Sequence, residues 1–278
     1  MKGYLALFLL AAIWGISYPL VSFTLEYITP IQLLVLRFAI VSILLLPFIK
    51  QIGFSLGSLE LAFWIGLSYL TQTIGLKTLD PTASAFISSL YVLFVPLLTF
   101  LIIRKNWQLL IPGIIALFAM TLVSGYPTQW DYDAWITLLM PITFSVYIIR
   151  TQHYLPTLNF KAIAYGQTLY LGLLAIPFFT QSTIHSVPWL SIVLLVAITL
   201  IAPVLQTFGQ RYVPKASAAI ILAMEPIFAA LFSLQYTWPI FFASITFLFA
   251  IWLNNILEEN IAINPKQQLK EPITEKHH

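Results

Sequence analysis

The chain has 278 residues, of which 60% are hydrophobic and 8% charged, with a mean hydropathy of +0.91 and a net charge of +3. A soluble domain carries about 25% charged residues, so this chain cannot cover a water-facing surface and lipid must be the solvent for much of it. With no cysteine, disulfides, thiol nucleophiles and thiolate metal sites are excluded.

A bilayer core of about 30 Å takes roughly 20 apolar residues as a helix. Ten such runs are present, near 3–24, 31–49, 58–76, 81–103, 108–126, 133–151, 160–180, 188–209, 214–235 and 238–256. The runs are too long for a membrane barrel and do not alternate with period two. The predicted class is therefore an all-α integral membrane protein with ten transmembrane helices.

The first run follows Lys2 and is too long for a signal-peptide core, so it reads as a retained span. It holds Trp14, Gly15 and Tyr18; a glycine beside the indole lets a helix or a ligand approach closely. In the second run, Arg37 lies about 9 Å inside at 1.5 Å per residue. It reads as a structural residue that snorkels outward or pairs with a carboxylate. The third run ends in TQTIGLKT, residues 71–78, with Tyr69 just before it. The sixth contributes Tyr147, and the eighth ends with Gln206, Gly209 and Gln210. Gln210, nearer the interface, is expected to be solvated. In the ninth, Glu225 falls near mid-membrane and Pro226 follows it, freeing a carbonyl one turn earlier. Glu225 reads either as a proton- or cation-binding group or as a structural carboxyl that locks a kinked helix. The polar tail, 258–278, reads as cytoplasmic and disordered.

Placing the N-terminus in the cytoplasm puts eleven of the thirteen Lys and Arg inside and only Lys77 outside, with Arg37 in a span. That asymmetry gives both termini cytoplasmic. The net charge is thus a topology signal rather than a nucleic-acid footprint.

Five spans in each half force the second half to start from the opposite side, so related halves must be inverted. TQTIGLKTLDPTASA (71–85) aligns without a gap on LQTFGQRYVPKASAA (205–219), at an offset of 134 residues. The alignment pairs Gln72 with Gln206, Gly75 with Gly209, Ala85 with Ala219 and Lys77 with Arg211. The same offset pairs Glu225 with Tyr91, which are expected to face each other across a cavity. The halves are 1–127 and 128–257.

Gln72 and Gln206 could hold a polar solute or serve as interhelical glue. Trp14, Tyr18, Tyr69, Tyr91 and Tyr147 could stack on or cap it. Gly75, Gly209, Arg37 and Pro226 read as structural. No phosphate-binding loop, His-Glu-x-x-His or Gly-x-Ser-x-Gly is present, and no histidine lies in an apolar run, so neither a nucleotide-driven pump, an enzyme nor a metal or other cofactor site is indicated.

Four stretches, AAIWGISYPL (11–20), PIQLLVLRFAI (30–40), residues 71–98 and residues 206–233, together resemble the drug/metabolite transporter superfamily, in particular its ten-helix EamA-type members. The resemblance covers about residues 3–256. It implies a basket of two inverted five-helix halves, with a cavity lined mainly by helices 1, 3, 4, 6, 8 and 9. It also implies movement of small metabolites, often amino acids and often outward. The family's acidic residues at two junctions are missing here, where the chain reads RKNWQ and QYTWP. The expected function is a secondary transporter in the inner or plasma membrane, with the proton as a possible coupling ion. The alternatives are a passive uniporter or channel, a membrane sensor, or a lipid-handling enzyme.

Overall fold

The structure is a computed structural model that describes residues 1–103, 106–124, 131–178, 187–232 and 238–263. Among these residues, all regular structure is helical. The first half carries α1 (Lys2–Leu25), α2 (Pro30–Leu45), the short α3 (Ile49–Ile52), α4 (Leu56–Gly75), α5 (Pro81–Ser89), α6 (Tyr91–Ile103) and α7 (Leu110–Ser124). The second carries α8 (Tyr132–Thr137), α9 (Leu139–Tyr154), α10 (Gln167–Ala175), α11 (Trp189–Tyr212), α12 (Lys215–Leu222), α13 (Glu225–Phe232) and α14 (Trp238–Ile263). Seven helical stretches among the described residues are long and apolar enough to cross a membrane. The stretches Trp107–Thr121 and Ala162–Phe178 are apolar but shorter.

Local chemistry sets the starts. Thr29 caps α2 by accepting from the Gln32 amide while Gln32 returns a side-chain bond, and Pro30 takes the first helical position. Asp80 caps α5 by accepting from the Thr82 and Ala83 amides, ahead of Pro81. Asp131 does the same for α8 through Ala134.

Three of the stretches are broken by a turn within their length, one of them at Leu138 between α8 and α9. Leu90 interrupts α5 and α6, and Ala223–Met224 interrupt α12 and α13. Pro226 does not kink a continuous helix, as the sequence suggested. It stands in the first turn of α13, where its missing N–H is no loss, and the carbonyl it frees belongs to Leu222, the last residue of α12. A wide turn of π-type, Ala162–Gly166, leads into α10.

Packing uses small residues where backbones meet, as bilayer-embedded helices do. Gly15 brings α1 onto α13: a Cβ there would overlap the Phe228 Cβ and lie 2.9 Å from the Glu225 carbonyl. Its close neighbour is therefore a helix. Gly75 meets Thr137 and the Asp133 carbonyl, and a Cβ at Gly209 would lie 2.5 Å from Leu7 of α1. The outward surface is apolar, with Phe63, Phe118, Phe242 and Trp252 more than half exposed. A helix that is apolar all round belongs in lipid.

The last helix extends further than expected. α14 runs to Ile263 because Ser217 holds Glu258 by a 2.9 Å bond, so the tail's first residues are helical rather than disordered. The remaining tail, the 127/128 boundary and residues 104–105 and 235–237 of the two junction motifs lie outside the described residues.

Candidate functional site

Glu225 is buried and opens α13 at the helix break. Two phenols donate to it. Tyr91, the first residue of α6, reaches Oε1 at 2.6 Å, and Tyr18 of α1 reaches Oε2 at 2.9 Å. Gln72 of α4 extends the chain, its amide nitrogen 2.8 Å from the Tyr18 hydroxyl and 3.2 Å from Ser88 Oγ. Tyr91 and Glu225 thus touch directly instead of facing across a gap, because the helix breaks bring the two half-helix starts together. Four of the sequence-predicted residues form one network.

This network borders a narrow cavity of about 30 Å³ between α1, α2, α4, α9 and the α12–α13 break. Trp14, Tyr18, Arg37, Tyr69, Gln72 and Glu225 line it, with Ser68 and Phe144. A second cavity of about 20 Å³ adjoins it and shares only Trp14, Ile65 and Tyr69 with the first. Those three side chains form the partition. Tyr147, Gln167, Thr199 and Gln206 line the second cavity. The predicted amide pair is therefore split, Gln72 on one side of the partition and Gln206 on the other.

Trp14 packs edge-on against Phe144 at 5.5 Å, and Tyr147 stacks on the same ring at 5.4 Å. Gln206 donates to Gln210 at 3.2 Å, and Gln210 donates to the Ile148 carbonyl at 3.0 Å. Gln210 is fully buried, which corrects its expected solvated role; α11 turns that face onto α9. Gln167 was not foreseen. Its carboxamide is buried, makes no hydrogen bond of ordinary geometry, and lies beside the Tyr147 phenol.

Arg37 also departs from expectation. It is only 3% exposed, so it does not snorkel, and it pairs with no carboxylate among the described residues. Its Nε donates to Thr199 Oγ1 and its guanidinium lies 4.8 Å from the Tyr69 ring centre. A charge at a helix centre costs about 2.5–3.5 kcal/mol, and stacking on a desolvated aromatic offsets about 2 kcal/mol of it. At the α2–α10 contact, Gly172 admits the Phe38 carbonyl and Ser42, so the two helices meet closely beside Arg37. The resemblance had left α2 and α10 out of the cavity lining; Arg37, Phe38 and Gln167 place them in it.

One ion pair is present among the described residues. Glu60 of α4 accepts from Arg150 of α9 at 2.6 and 2.8 Å, and Tyr154 donates to the same carboxylate. At the opposite end of α4, Thr78 donates to Asp133. No group of three His, Cys, Asp or Glu suited to a metal occurs among the described residues.

The EamA-like transporter family matches residues 1–125. A relative from Archaeoglobus fulgidus, named an uncharacterized transporter, is 30% identical over 237 residues, covering 82% of this chain and 76% of the relative. A protein crystal structure superposes with a TM-score of 0.72 at 14% identity, covering 97% of this chain and 99% of that one, a likeness of fold. With several apolar membrane-length helices around polar, partly buried cavities, this chain belongs to the EamA-like transporter family and is a multi-pass membrane transporter.

Proposed function

We propose that the chain is a secondary active transporter of the cytoplasmic membrane that exports small polar or amphipathic metabolites, amino acids among them, by alternating access. Ten helices in two inverted halves, 1–127 and 128–257, would rock about the partition between the cavities, with both termini cytoplasmic. The helix breaks at Leu90 and at Ala223–Met224 support the inverted repeat. Tyr91 and Glu225 begin the half-helices that follow them and stand 134 residues apart, the offset of the aligned glutamines.

The observation that carries this reading is the buried Glu225 carboxyl on the wall of the first cavity, held by phenols from α1 and α6. In the outward-facing cavity, Glu225 takes up and releases the coupling proton, while Gln72, Tyr18, Tyr69 and Trp14 hold the solute. Gln206 and Tyr147 contact it on the cytoplasmic side of the partition. Proteoliposomes test this directly. Saturable counterflow is expected with the wild type, and an imposed pH gradient drives its flux. Glu225→Gln retains counterflow but loses the response to the gradient. A Glu225→Gln protein that still follows the gradient excludes the coupling role, and flux without counterflow makes the protein a channel.

A further inference from the structure

The strongest observation the network above leaves unused is the state of Arg37. Its Nε is committed to Thr199, but neither Nη nitrogen makes a hydrogen bond or ion pair among the described residues. The guanidinium nevertheless lines the first cavity, with its face on Tyr69. Glu225 lines the same cavity, and Tyr69 is within electrostatic reach of both charges. Burying a charge is tolerated when it is paired, and an arginine fork matches a carboxylate in a bidentate fashion that a lysine does not reproduce. Thr199 and the Tyr69 ring hold that fork in place.

We propose that Arg37 binds a carboxylate of the transported solute in the first cavity through its two Nη nitrogens. The transported class is then carboxylate-bearing solutes, with the Glu225 end of the cavity free to receive a proton or an ammonium group. The assignment rests on the transporter reading, because it supplies the solute's anchor.

Binding by the purified full-length protein in detergent tests it, with L-phenylalanine, L-phenylalaninamide, 3-phenylpropionate and inorganic phosphate as probes. The wild type is expected to bind both carboxylates more tightly than the amide or phosphate. Arg37→Gln should weaken carboxylate binding roughly 10- to 100-fold, the loss expected for hydrogen bonds to a charged group, and leave the amide unchanged; Arg37→Lys should fall between. The anchor is overturned if the wild type binds acid and amide equally, binds neither carboxylate, or prefers phosphate. It is overturned as well if folded Arg37→Gln binds carboxylates like the wild type. Should Arg37→Gln fail to fold, Thr199→Val, which keeps the guanidinium but frees its Nε, is expected to weaken the acids selectively. Counterflow in proteoliposomes separates the two readings. Saturable flux without carboxylate preference removes the anchor and keeps the transporter. Carboxylate binding without flux does the reverse.

Discussion

At the scale of the residue, Glu225 depends on its two phenols. A carboxylate in a bilayer interior must be neutralised or hydrogen-bonded, and Tyr91 and Tyr18 each satisfy one of its oxygens. Tyr91→Phe leaves Oε1 without its 2.6 Å donor and is expected to lower stability by about 1.5–3 kcal/mol. Adding Glu225→Gln should cost less than the two single changes summed, since they share one interaction. Denaturation of the purified proteins measures the cycle, and strict additivity would mean the bond contributes nothing. The sequence offset named Tyr91 and Glu225 as mates, and a carboxyl near the middle of an apolar run flagged Glu225. Arg37, Gln210 and Gln167 were misread or missed for one reason. When lipid and protein interior are both apolar, hydrophobic pattern does not report which face of a helix turns inward, so the rotation of α2, α10 and α11 was illegible.

At the scale of the element, close approach decides the packing. Gly75 sits where α4 crosses α8, and any side chain there enters the space of Thr137 Oγ1 and the Asp133 carbonyl. Gly75→Ala is expected to destabilise by about 1–3 kcal/mol through overpacking. Thr137→Ala in the same chain should restore most of that, because the hydroxyl is the main obstacle. Thermal unfolding of the single and double variants checks the claim, and no rescue would place the strain in the Asp133 backbone. The glycines were visible in the repeat alignment, but the break at Leu90 was not. SSLYV holds neither proline nor glycine, so tertiary packing ends α5 there and local propensity does not. The break beside Pro226 did carry a signal, though the sequence read it as a kink.

At the scale of the whole molecule, an all-helical membrane fold was readable because bilayer thickness fixes helix length, and seven stretches of that length are present among the described residues. Membership in the family follows from relatives rather than from any one motif. The proposed inverted architecture makes a sharp topological prediction, and the absence of cysteine makes it simple to measure. Lys77 and Arg211 are matched repeat positions, and both are exposed. In intact cells, a membrane-impermeant maleimide should label Lys77→Cys and leave Arg211→Cys unlabelled until the membrane is opened. Labelling of both, or of neither, would rule out the proposed orientation. The paired helix breaks have a consequence beyond geometry. Each half-helix start carries a macrodipole end worth roughly +0.5 of an elementary charge. Glu225 is the first residue of α13, and the first residue of α6 reaches it with its phenol. The ends of α5 and α12 adjoin these starts and carry the opposite sign, so the carboxyl sits where the backbone's two contributions meet. That contribution belongs to the backbone, so substituting Glu225 removes the side chain's charge and leaves the backbone's in place.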